Sequence, residues 1–219
     1  MARYKNTHRG WALLERYLGW IAVPKIGVLF ITLQAAGFLM VMSDPVWVSR
    51  LALIPEAAVG GEPWRFLTFL ALPLASSPIW VLFVLWFLYF IFEGIESIWG
   101  AFKTTLYVVT SILLTWAFSL VFSYPVLTAR HFESTLFLAA AALFPDMEVR
   151  LFFLVPVKFK WLAVFAACMV ILGAIQAEWM DRFFLLAVYG NFIVFFGPSA
   201  LERLRQRRRR KAYERGSRR

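Results

Sequence analysis

The chain has one cysteine, Cys168, and two histidines, His8 and His131. One cysteine excludes an internal disulfide framework and a cysteine-held metal, and two distant histidines exclude a histidine cluster. Cys168 falls inside an apolar run and reads as a small buried hydrophobe. Charge is scarce as well. Only 16% of the 219 residues are charged, where a soluble domain carries about 25%. The apolar stretches hold no glycine-rich phosphate loop, no paired carboxylates and no metal-ligand spacing, so no cofactor is expected. The opening "MARYKNTHRGWALLERYLGW" lacks the continuous apolar core and small-residue cleavage site of a signal peptide.

What is abundant is apolar and aromatic: 61% of residues are hydrophobic, with 23 Phe, 10 Trp and 7 Tyr. This composition predicts a polytopic all-α membrane protein. The gaps between charged residues define six spans. They are Ile26–Ser43, about Ile79–Trp99 (after a loop containing "PLASSP"), Thr104–Ala129, Ser134–Pro145, Trp161–Ala177 and Phe183–Leu201. Five are near or above the roughly 18 to 20 residues a bilayer core demands. Basic residues set the orientation. With both termini in the cytoplasm, 19 of the 23 Lys and Arg are cytoplasmic, and Arg50, Arg65, Arg130 and Arg182 face the other side. Residues 1–25 read as a cytoplasmic segment, with Trp11, Leu14, Leu18 and Ile21 on one face of an interfacial helix. Residues 26–198 form the membrane domain, and 199–219 a basic cytoplasmic tail. The tail "RLRQRRRRKAYERGSRR" is expected to hold anionic lipid headgroups rather than nucleic acid.

The fourth span is too short. The uncharged stretch "STLFLAAAALFP" has 12 residues and cannot cross about 30 Å of hydrocarbon at 1.5 Å per residue. Its four alanines, Ala139–Ala142, allow close helix approach. A short, central, sunken helix follows, ended by Pro145. Ser134 is expected at its upper end as N-cap, facing a water-accessible depression. His131 is expected in the preceding loop, solvated beside Arg130.

At this point the arrangement resembles the rhomboid superfamily, derlins included. "GEPWRFLTFLALP" (Gly61–Pro73), with Trp64 and Arg65, is similar to the Trp-Arg motif of the first external loop. "GIESIWG" (Gly94–Gly100) resembles the Gly-x-x-x-Glu-x-x-x-Gly signature at Glu96 and Gly100, although Phe92 stands where the first glycine belongs. "FPDMEVRLFFLVPVKFKW" is similar to the linker between spans four and five, and "YGNFIVFF" (Tyr189–Phe196) to the sixth span. The resemblance implies a six-transmembrane-helix bundle with a short central fourth helix, and a catalytic serine and histidine.

The serine falls on Ser134, but Phe132 and Thr135 replace the two glycines that let the backbone turn beside the nucleophile. The histidine position holds Asn191, which takes no proton at neutral pH. The oxyanion donors at the start of span two are missing from "SSPIWVLFVLWFLYF". A serine without a base is a weak nucleophile. His131 is a conceivable substitute base, three residues before Ser134, with Glu133 or Asp181 to orient it.

The expectation is therefore a pseudoprotease that binds transmembrane segments of client proteins, in quality control or trafficking. The alternatives are an active intramembrane serine endopeptidase with a rearranged dyad, and a structural or lipid-perturbing protein. Both a bacterial inner membrane and an endoplasmic reticulum membrane suit the chain. Bland structural roles are also expected. Arg65 bonds loop carbonyls, Trp64 anchors at the interface, Glu96 accepts hydrogen bonds within the fold and Glu93 is solvated. Thr110, Ser111, Thr115 and Ser119 bond helix carbonyls or neighbouring helices, and 145–161 lies along the inner surface.

Overall fold

The computed structural model of the chain describes residues 15–151 and 155–216, with side chains described outside 149–156 and 198–216. Most of it is helix. A 3-10 turn, Gly19–Ile21, precedes α1 (Ile26–Ser43), whose bounds coincide with the first charge-free run. Leu18 and Ile21 are half-buried, while Trp11 and Leu14 lie outside the described residues. Three short helices follow: α2 (Trp47–Leu51), α3 (Pro55–Val59) and α4 (Arg65–Thr68), the last running into a 3-10 turn at Phe69–Ala71. Then come α5 (Pro78–Phe122), α6 (Arg130–Leu143), strands β1 (Glu148–Leu151) and β2 (Val155–Lys158), α7 (Phe159–Gln176) and α8 (Trp179–Gly216). Four segments are long and apolar enough to cross a membrane: 15–43, 78–122, 159–176 and 179–197.

The 45 residues of α5 are about twice what one crossing needs. They are divided at Gly100, whose φ of 78° and ψ of 165° are not helical. Only glycine occupies that region at little cost. Val23 exchanges hydrogen bonds with the Thr105 hydroxyl, and the Lys25 amide donates to Glu96 Oε1 at 3.0 Å. On a straight helix Glu96 and Thr105 would lie about 13 Å apart along the axis, yet both meet the same short turn. The two limbs of α5, 78–99 and 101–122, therefore fold back on each other around Gly100.

These contacts define two ends. At one, Lys25 and Val23 meet Glu96 and Thr105, and the α8 residue Phe196 stacks near Trp99 and Tyr107. At the other, the 44–77 loops meet 123–129 through the Leu53–Val126 bridge, and the Trp116 indole donates to the Phe66 carbonyl at 2.7 Å. Tyr124 reaches Asp181 there.

The core is continuous across α1, α5, α6 and α8. Glycines let elements touch. A Cβ at Gly37 would strike the Ala71 backbone, and one at Gly27 would strike Phe92. The loop 69–72 is thus pressed into the bundle, with Phe69, Leu70, Ala71 and Leu72 all buried. Ala139, Ala140 and Ala141 are buried in the middle of α6, as the small-residue argument expects. α6 has 14 residues, about 21 Å of rise, still short of a bilayer core. By contrast, Ile79, Trp80, Phe83, Trp86 and Phe90 lie exposed along one face of the 78–99 limb. A contiguous apolar surface of this kind suits lipid rather than water.

Several expectations are corrected. The third apolar segment ends at Phe122, not Ala129, because Ser123 takes a left-handed conformation and the Tyr124 amide closes onto the Ser119 carbonyl. α6 starts at Arg130, so Ser134 lies inside the helix and does not cap it. The 145–161 linker contains an antiparallel β1–β2 hairpin. Cys168 is exposed on α7 rather than buried. The sixth apolar segment begins at Trp179 rather than Phe183, in a helix, α8, that runs on to Gly216.

Candidate functional site

α6 brings His131 and Ser134 onto one face, a turn apart, as helical spacing requires. Both line a cavity of about 420 Å³ between α6, α7 and α8, with Tyr124, Arg130, Asp181 and Tyr189. Its floor is apolar, formed in part by Met169, Val170 and Phe184. Ser134 thus does face a depression. His131 is not a solvated loop residue: it sits in the first turn, half-buried, its ring edge-on to Phe184 (5.9 Å) and to Tyr189 (6.2 Å). No hydrogen bond joins His131 to Ser134 among the described residues. The Tyr189 hydroxyl is buried beside Ser134. Tyr124 donates to Asp181 Oδ1 at 2.6 Å. Burial and that carboxylate hold the Tyr124 phenol above the ordinary tyrosine range, and the bond engages one oxygen of the acid best placed to orient His131.

Asn191 is elsewhere. Its Nδ2 donates to the Ser111 hydroxyl (2.7 Å) and the Tyr107 carbonyl (3.1 Å), and its Oδ1 accepts from Thr110 (3.1 Å). It is buried against the 101–122 limb and does not line the Ser134 cavity. Its amide is a helix-to-helix clamp, which supplies a positive reason for asparagine at this position. Thr115 bonds the Ser111 carbonyl as expected, whereas Ser119 bonds the loop carbonyl of Tyr124.

The other motif residues lie apart from the cavity. The buried Arg65 guanidinium donates to the carbonyls of Ser49 (2.6 Å) and Ala52 (2.8 Å) and pairs with Glu62, so it clamps α2 to α4. Trp64 is exposed. Glu96 and Gly100 sit at the opposite end, as cap of the Lys25 turn and as the α5 hinge. Glu93 is exposed.

A second polar junction was not anticipated. Gln34 Nε2 donates to the Leu70 carbonyl and to Glu133 Oε1, each at 2.7 Å. Charge gaps hid it, because Glu133 itself served as the boundary of the fourth span. The clue in the sequence was Gln34, the only amide in the charge-free run 26–43. No group of three or more potential metal ligands occurs among the described residues. No protein family, curated protein or solved structure matches the chain.

Proposed function

We propose that this is a rhomboid-like pseudoprotease that binds transmembrane segments of client proteins without cutting them. Counting the limbs of α5 separately and including the short α6 gives six passes between the two ends. Arg50, Arg65, Arg130 and Arg182 belong to the loop-rich end, which supports placing that end outside and both termini in the cytoplasm. The Arg-rich tail then meets anionic headgroups of the inner leaflet, in a bacterial inner membrane or the endoplasmic reticulum.

The observation that carries the reading is the loose seating of α7. Of its 18 residues only Phe159 is buried. Between its start and the 78–99 limb lies a groove of about 310 Å³, lined mainly by apolar groups such as Trp86, Phe90, Ala140 and Phe144. In lipid no hydrophobic force holds such a helix to its neighbours, so an apolar client helix competes with it on equal terms. The cavity holding Ser134, His131 and Tyr189 offers polar partners to a client that carries a polar residue near its end. Such recognition would serve membrane-protein quality control or trafficking.

One observation favours a different reading. His131, Ser134 and Asp181 share a cavity, the ingredients of an intramembrane serine endopeptidase with a rearranged dyad. A purely structural or lipid-perturbing role predicts no saturable capture at all. A photoreactive residue placed at Trp86, at Phe165 or at the remote exposed position Leu39 separates client binding from a structural role in proteoliposomes with a labelled apolar helix, and whether that helix stays whole separates it from the endopeptidase. Saturable crosslinks at Trp86 and Phe165 but not at Leu39 are expected. Equal capture at all three, or at none, removes the proposal.

A further inference from the structure

Glu133 is 4% exposed and Gln34 is 2% exposed. The Gln34 amide nitrogen ties three elements together, donating to Leu70 in the pressed-in loop and to Glu133 on α6. The other carboxyl oxygen, Glu133 Oε2, is buried with no hydrogen-bond partner. Nearby contacts are apolar: Phe132 packs on Phe30 at 5.3 Å, and Leu136 is fully enclosed.

Among the described residues no cation faces this carboxyl. α1 has no ionisable residue from Ile26 to Ser43. From the loop the candidate is Arg65, whose guanidinium is occupied by Glu62, Ser49 and Ala52. The 101–122 limb offers Lys103, near the opposite end, and Tyr107. On α6 itself, Arg130 is exposed in the first turn and lines the other cavity with His131, as do Asp181 and Tyr189 of α8. An isolated carboxylate in such surroundings is prohibitively costly, and neutralisation is the physical way out.

We propose that Glu133 is an intramembrane proton-binding site, in which a bound proton rather than a cation neutralises the carboxyl that joins α1, the 65–71 loop and α6. Losing the proton leaves an uncompensated charge at the junction and draws water between α1 and α6, so the proton is what keeps the loop seated. This inference does not depend on the client-binding reading.

The experiment is infrared difference spectroscopy of the full chain in liposomes at pH 7, wild type minus Glu133→Gln. Glutamine keeps the size and the neutral charge of the acid. A protonated carboxyl stretch present in the wild type and lost in the variant is expected. Carboxylate bands in its place would overturn the proposal. A second measurement needs no variant: wild-type protein treated with dicyclohexylcarbodiimide. The carboxylic proton moves to one reagent nitrogen while the carboxylate oxygen bonds the central carbon. Oxygen-to-nitrogen acyl transfer then gives a stable N-acylurea that retains the whole reagent. Adduct at Glu133 at pH 7, lost as pH rises, is the expected result. Adduct formed only with a water-soluble carbodiimide, or no adduct with either reagent, counts against the site.

Discussion

At Asn191, one amide makes three hydrogen bonds to Tyr107, Thr110 and Ser111, which hold it against the 101–122 limb and away from the cavity that contains Ser134. A proton acceptor for the serine must stand within about 2.6–3.2 Å of it, and Asn191 is aimed at a different helix. Installing the histidine that the resemblance implies therefore breaks a clamp without completing a dyad. Asn191→His is expected to show no cleavage and to lose about 1–3 kcal/mol of stability, because the Ser111 hydroxyl and the Tyr107 carbonyl lose the amide that donates to them. Thermal unfolding in detergent and a cleavage assay on the same preparation check both parts. That Ser134 faces a depression was legible in the sequence from the short fourth span, whereas reading Phe132, Thr135 and Asn191 as departures depends on the resemblance. The Gln34–Glu133 junction was not legible, because a buried carboxyl inside a helix looks in the sequence like the end of a span.

Among the elements, α5 is the most dependent on one residue. Gly100 holds φ 78° and ψ 165° with no atom within 4 Å of where a Cβ would stand, so the constraint is backbone conformation rather than space. Gly100→Ala is expected to cost about 1–3 kcal/mol, read as a lowered unfolding temperature with the polar cavity around Ser134 left intact. α6 tests packing instead. Ala139 and Ala141 are buried against other helices, whereas Ala140 borders the inner groove and has room beside it. Leucine at 139 or 141 should overpack and cost about 1–3 kcal/mol, while leucine at 140 should cost less. Equal tolerance at all three positions in a stability screen would mean that α6 faces lipid. Helix existence was legible from the charge gaps, and α1 was placed to the residue. Ends were less so. Nothing charged separates Phe122 from Arg130, so turn chemistry at Ser123, Tyr124 and Pro125 decided the boundary. The β1–β2 hairpin was hidden in a stretch whose mixture of basic and aromatic residues resembles an interfacial segment.

For the whole molecule, the apolar surface of the 78–99 limb and of α7 suits a bilayer, and the proposed orientation rests on the distribution of basic residues. Fusions of a compartment reporter after Arg130 and after Arg219 are expected to report opposite sides of the membrane. Reports from the same side would exclude six passes. The central claim is that the protein holds client helices and leaves them whole. That proposal rests on Ser134 and His131 sharing a cavity with no hydrogen bond between them among the described residues, and on the resemblance, which implies glycines where Phe132 and Thr135 stand. The most direct measurement is the fate of a helix-destabilised transmembrane substrate in liposomes with the wild-type protein, followed by mass spectrometry. The substrate is expected to be recovered intact and Ser134 unlabelled by serine-directed phosphonates. Cleavage that disappears in Ser134→Ala would contradict the account, and its loss in His131→Ala as well would establish the rearranged dyad in its place.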